Sequence, residues 1–252
     1  MLGWPDEVEA SEYADGEARS SWCGPAGAVH AMRDGAGHKR GYRRPVFVKI
    51  CGITCPADAI AAVEAGADAI GLNFVPASRR CIDIEVARAV LAVVPDHVMT
   101  VGIFRDHLAN EILEITGALG LEAAQLHGDE PPAFTAVVAA GVKTVIKAVA
   151  AEGPSVRSID EHAAEIVMLD APIPGGGVPF EWGLVGDVVT KHKILLAGGL
   201  RPDNVAEAVR RVRPWGVDVA SGVEAEPGQK DTDAVARFVA EARAAAEQPT
   251  GP

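Results

Sequence analysis

From residue 46 onward the chain repeats one alternation eight times: a short apolar, often β-branched run, then an Ala-, Leu- and Glu-rich segment with helical spacing. The runs are 46–50, 68–74, 98–104, 122–126, 143–149, 165–169, 193–197 and 217–220. The helical segments are 56–65, 83–94, 107–119, 131–140, 154–163, a short one near 181–190, 202–213 and 231–246. Near-continuous apolar strands followed by amphipathic helices are the pattern of parallel strands covered on both faces. Eight such units in about 200 residues predict an α/β fold, a single closed (β/α)8 barrel. The competing architecture, an open doubly wound sheet, usually places a glycine-rich dinucleotide turn after its first strand, whereas the first strand here runs into CGIT. Pro56 and Pro202 at early helical positions, Gly66 after VEA and Asp203 in a first turn punctuate the helices as this parse requires.

Residues 1–45 stand apart. Residues 1–18 hold six acids and no base, 19–44 hold six bases and one acid, and no 3.6 or 2.0 hydrophobic period runs through them. Such a segment lacks the apolar area to offset its ordering entropy, so 1–45 reads as a disordered extension and 46–248 as the barrel domain. With 23 Lys plus Arg against 35 Asp plus Glu, the net formal charge of −12 argues against a nucleic-acid partner. A membrane function is excluded as well, because even the Ala/Val-rich stretch 133–150 carries Lys143 and Lys147. Four cysteines, at 23, 51, 55 and 81, are too few for a disulfide scaffold, and the N-terminus shows no basic-then-apolar leader, which points to the cytoplasm. Cys51 and Cys55 stand four apart, but no second pair and no His cluster accompany them, so no metal site is expected.

Barrels of this kind build their active sites where the strands end, so the informative residues follow each run. The first strand ends in Lys49, Cys51 and Gly52; the second runs into Ser78, Arg79 and Arg80; the fourth ends in Gln125, His127, Gly128 and Asp129. The sixth ends in Asp170 before Gly175, Gly176 and Gly177, the seventh in Gly198 and Gly199, the eighth in Ser221 and Gly222. Glycine loops after strands seven and eight let backbone N–H groups approach an anion and suggest a phosphorylated small molecule, although the same glycines can serve only as turns. Cys51 and Asp170 face each other across the mouth as a possible base and acid, the thiolate favoured by Lys49 and the carboxyl by burial. Each also has a bland reading, a small buried hydrophobe and a helix N-cap. Arg80 has the geometry to grip a carboxylate in two hydrogen bonds, against plain solvent exposure. His127 is equally a loop hydrogen-bonder or a ligand-binding group.

At these residues the sequence resembles the phosphoribosylanthranilate isomerases of tryptophan biosynthesis. VKICGIT (48–54), ADAIGLNFVPASRR (67–80), VGIF (101–104), QLHGDE (125–130), MLD (168–170), LAGGLRPDNV (196–205) and GVDVASGVEAEPGQKD (216–231) occur in order over about residues 46–246. The resemblance implies a barrel enzyme that performs an Amadori rearrangement of a phosphorylated substrate without cofactor or metal. It implies Cys51 as general base and Asp170 as general acid, with Arg80 on the anthranilate carboxylate. Gly198, Gly199, Ser221 and Gly222 would then hold the phosphate, and Gln125 and His127 of QLHGDE would bind substrate. The second loop reads Ser78, Arg79, Arg80, Cys81 where the family usually has Ser, Pro, Arg and an aromatic, which leaves Arg79 as the competing arginine. The loop after Asp170, APIPGGGVPFEW, is shorter than in many members. Two alternatives stand beside this reading. The related isomerase of histidine biosynthesis has an aspartate where this chain has Cys51, and a non-catalytic paralogue would bind the ligand without turnover. Monomer and homodimer both remain open.

Overall fold

A computed structural model describes residues 45–151, 154–170 and 191–247. Eight strands alternate with helices: β1 (Phe47–Cys51), α1 (Pro56–Glu64), β2 (Ala69–Asn73), α2 (Ile84–Leu91), β3 (Met99–Phe104), α3 (Ala109–Leu119), β4 (Ala123–Leu126), α4 (Pro132–Ala139) and β5 (Thr144–Ala150). A 3-10 helix (Pro154–Glu161), β6 (Ile166–Asp170), β7 (Lys193–Ala197), α5 (Val205–Val212), β8 (Gly216–Val219) and α6 (Thr232–Glu247) follow. All eight strands pair in parallel, and β8 returns to β1 with Lys49 opposite Asp218, so the expected (β/α)8 barrel is closed.

Side chains alternate across each strand and divide the apolar residues into two sets. One, with Ala69, Val101, Ala123, Ile146, Met168 and Leu195, fills the barrel interior; Phe47 stacks on Trp215 beside it at 4.3 Å. The other, including Val48, Ile50, Leu72, Leu126, Leu169 and Leu196, packs outward against Ala62, Val90, Ile112, Val209 and Phe238 of the helices. Burial on both faces is why the strands read as continuous apolar runs. Among the described residues, no helix is long and apolar enough to cross a membrane.

Three features depart from the sequence pattern. The segment expected as a helix over 154–163 is a 3-10 helix ending at Glu161, the form short helical pieces commonly take. Pro202 precedes a helix rather than opening it. The Arg201 amide donates to Asn204 Oδ1 at 2.8 Å and Asn204 Nδ2 donates to the Gly199 carbonyl at 3.0 Å, so a closed turn delays α5 to Val205. After β8 a 3-10 turn (Ser221–Val223) leads into a hairpin, β9 (Glu224–Glu226) and β10 (Gln229–Lys230), that periodicity did not announce because its strands are too short to alternate. The extension, apart from Pro45, lies outside the described residues, as do the loop after Asp170 with its three glycines, the short helix near 181–190 and residue 248.

Candidate active site

The strand ends enclose a cavity of about 230 Å3. Its lining includes Cys51 from β1, Arg80 from the loop after β2, Gln125 and His127 from β4, Asp170 from β6, Gly198 and Gly199 after β7, and Ser221 after β8. Every expected site residue except Gly222 therefore meets in one space, although the residues come from six different strand ends.

Cys51 ends β1 on the inward face, two residues above Lys49 and opposite Gly71 of β2. A Cβ on Gly71 would lie 2.9 Å from the Cys51 sulfur, so the glycine makes room for the thiol. Lys49 is fully buried, and its Nζ lies 2.7 Å from Asp218 Oδ1, its register neighbour on β8. A buried ammonium requires such a partner. Burial would push Lys49 down, but Asp218 and Cys51 outweigh it and hold the ammonium above its ordinary value. Lys49 favours the thiolate, as expected, but does not decide the balance. Burial pushes the Cys51 thiol up, Lys49 pulls it down and Asp218 pushes it back, leaving it above the ordinary value.

Asp170 is not the buried carboxyl that was expected: at the end of β6, in register with Ala150 and Ala197 of its neighbours, its side chain is 49% exposed. His127 stands beside it, Nε2 3.7 Å from Asp170 Oδ2, and Gln125 Nε2 lies 3.0 Å from His127 Nδ1. With the Gln125 amide at Nδ1, Nε2 is the ring nitrogen that faces Asp170. The loop carrying His127 is clamped from below. Lys147 of β5 donates to the Gly128 carbonyl at 2.6 Å and to Glu130 at 2.7 Å, and Glu130 accepts from the Gly128 amide at 3.0 Å. Burial raises the Glu130 carboxyl, but Lys147 and backbone donors overcome it and set it below the usual carboxylate value. A second cavity of about 510 Å3 adjoins the first, sharing His127 and Asp170.

The two arginines differ in their surroundings. Arg79 is exposed, whereas Arg80 lines the cavity, laid across Gly52, where any Cβ would collide with its Cδ. Glu224 of β9 accepts from Arg80 Nε at 2.6 Å and Nη2 at 2.7 Å. Opposite, Gly198 and Gly199 have φ of 92° and 63°, backbone that side-chain-bearing residues avoid, and their loop presents main chain to the cavity. Gly222 lies behind this surface. A Cβ there would strike the Leu200 carbonyl, so the bare glycine lets the β7 and β8 loops pack together.

Sequence reasoning missed Asn73 and Asp218 of the lining, and Glu224 and Lys230 behind Arg80. A signal existed for Asp218: lysine and aspartate at interior positions of otherwise apolar strands that become neighbours once the barrel closes. Glu224 and Lys230 carried none, since acids and bases in a loop read as solvated.

The model for the family described as N-(5'-phosphoribosyl)anthranilate (PRA) isomerase matches residues 48–241. The N-(5'-phosphoribosyl)anthranilate isomerase of Myxococcus xanthus is 47% identical over 207 residues, covering 79% of this chain and 96% of that one. A crystal structure of phosphoribosyl anthranilate isomerase in complex with reduced 1-(o-carboxyphenylamino)-1-deoxyribulose 5-phosphate is 38% identical, covers 79% of this chain and 99% of its own, and superposes with a TM-score of 0.71. A monomeric form of the dimeric Thermotoga maritima isomerase is 37% identical with a TM-score of 0.69, at 79% and 99% coverage.

Proposed function

Since the chain belongs to the N-(5'-phosphoribosyl)anthranilate isomerase family of tryptophan biosynthesis, we propose that its own Cys51 and Asp170 carry out the Amadori rearrangement of that substrate to 1-(2-carboxyphenylamino)-1-deoxyribulose 5-phosphate. The observation that carries this reading is the gathering of a thiol, a carboxyl, an arginine and two backbone-lined glycine loops around one cavity of about 230 Å3.

Asp170 gives a proton to the furanose ring oxygen, and the C1–O bond breaks to leave a protonated Schiff base on the anthranilate nitrogen. Cys51, as thiolate, takes the C2 proton, and the electron pair released neutralises the iminium and gives an enolamine. A proton returns at C1 as the C2 hydroxyl loses its own, which yields the ketone. One acid and one base suffice, each transfer contributing about 10²–10⁴-fold. Arg80 holds the anthranilate carboxylate, Gly198, Gly199 and Ser221 with Gly222 behind them hold the phosphate, and Gln125 with His127 borders the ribose. His127 beside Asp170 is placed to help return a proton to it.

A doubly charged phosphate ester does not cross a bilayer unaided, so the enzyme belongs in the cytoplasm with its substrate. A homodimer is consistent with the dimeric relative. The test is complementation of a tryptophan auxotroph that lacks this isomerase. Growth without tryptophan is expected, and failure of soluble, expressed protein to restore it would defeat the reading.

A further inference from the structure

The hairpin after β8 reaches back across the barrel mouth to Arg80. Glu224 takes two of the five guanidinium N–H groups, one on Nε and one on Nη2. The Glu224 side chain is itself only 5% exposed, and Lys230 of β10 donates to its Oε1 at 3.0 Å and to the Ala220 carbonyl at 3.1 Å. The Lys230 ammonium has no exposure of its own. The hairpin is fixed in turn, because the Lys230 amide donates to Asp58 Oδ2 of α1 at 3.1 Å and the Thr54 hydroxyl donates to the Gly228 carbonyl.

Two consequences follow from this geometry. A guanidinium held along its Nε–Nη2 edge cannot rotate, and the edge left open is the end-on pair Nη1 and Nη2, which makes no other hydrogen bond among the described residues. That edge matches a second carboxylate in two parallel bonds. Arg80 with Glu224 alone would also be a neutral pair that offers an incoming anion a carboxylate as readily as a cation. Lys230 brings the group to one net positive charge.

We propose that Glu224 and Lys230 are the specificity-determining positioning residues of this site: Glu224 aims Arg80 end-on at the substrate's aryl carboxylate, and Lys230 keeps the cluster cationic so that a carboxylate is favoured over a neutral ring. The proposal rests on Arg80 as the carboxylate-holding group. Neither residue touches the reacting atoms.

The experiment measures affinity by titration calorimetry for two reduced, non-isomerising product analogues, one with the ortho-carboxylate on its aryl ring and one with hydrogen there. Wild type, Arg80→Ala, Glu224→Gln, Glu224→Asp and Lys230→Met are compared. Wild type should prefer the carboxylate analogue by about 10–100-fold, the range of hydrogen bonds to charged groups. Arg80→Ala should erase the preference. Glu224→Gln should lose about tenfold of it, Glu224→Asp and Lys230→Met less, each leaving affinity for the carboxylate-free analogue within about threefold and kcat less affected than KM. If Glu224→Gln and Lys230→Met keep the full preference while Arg80→Ala loses it, Arg80 stands and this inference falls. An equal loss for both analogues would reduce Glu224 to a structural role and overturn it too. Retention of the preference in Arg80→Ala would instead defeat the assignment of Arg80 itself. Glu224→Asp keeps the negative charge and supplies the decision should Glu224→Gln fail to fold.

Discussion

A thiol acts as base only while ionised, and here burial works against ionisation. The Cys51 thiol sits above its ordinary value with Lys49 the nearest group pulling the other way. Turnover should therefore climb with pH through the neutral range, because the thiolate fraction climbs. Lys49→Met removes that pull and leaves Lys230 to oppose burial and Asp218 at the sulfur, which moves the thiol further up. We expect kcat at neutral pH to fall at least about tenfold and the alkaline rise to move to higher pH, as removal of a nearby opposite charge dictates. A pH–rate profile that does not move would show that Lys49 only fills the barrel. Cys51→Ser should lose at least about 10²-fold in kcat with the fold intact, since a hydroxyl does not ionise in this range. At β6, Asp170→Asn keeps size and hydrogen-bonding reach but delivers no proton. Its kcat should drop by about 10²–10⁴-fold, whereas the reduced carboxylate analogue should bind within about tenfold of wild type. Joint loss of turnover and binding would make Asp170 a ligand-holding residue and send the search for the acid to another strand end.

At the scale of elements, what the sequence disclosed follows from how each element is stabilised. Strands covered on both faces are apolar along most of their length, so all eight showed in hydropathy. Cys51, Asp170 and Arg80 showed because they stand where such strands stop. The different surroundings of Arg79 and Arg80 appeared only once the loop had folded across Gly52. The clamp under the β4 loop was silent, since Lys147 sits in β5 as one charge in an apolar run and its partner Glu130 lies 17 residues earlier, in the β4 loop itself. Close approaches of backbone are equally invisible. Gly222 belonged to a glycine motif read as phosphate-binding, yet its missing Cβ serves the packing of two loops. Gly222→Ala should therefore displace the Gly199–Leu200 segment and weaken binding of the phosphate-bearing analogue by about tenfold or more, in the range of overpacking costs. Unchanged affinity would show that the β7 loop shifts without consequence for the ligand.

For the whole molecule the ionic groups set an acid limit and barrel closure leaves β1 no free edge. Glu130 and Glu224 both lie below the ordinary carboxylate value in the folded protein, because Lys147 in one case and Arg80 with Lys230 in the other outweigh burial. A depressed carboxyl stabilises the fold above its unfolded pKa and loses that contribution as pH falls through the folded one. Thermal stability should thus begin to decline as pH falls below about 5 and keep falling below about 4, less steeply in Lys147→Met, whose Glu130 has lost its counter-charge. The start of the fold is fixed from behind. The Phe47 amide donates to the Trp215 carbonyl at 3.1 Å, and Arg243 of α6 donates to the Val46 carbonyl at 2.9 Å while holding Asp68 at 2.8 Å. With β2 on one side of β1 and β8 on the other, no edge is left for an earlier strand to fill. On this ground we propose that residues 1–45 lie outside the catalytic unit, and that a chain beginning at Val46 keeps kcat/KM within about threefold of the full-length protein. Steady-state kinetics on the purified truncation decide it. A soluble, folded truncation with activity lost would mean that the extension reaches a strand end and completes the site.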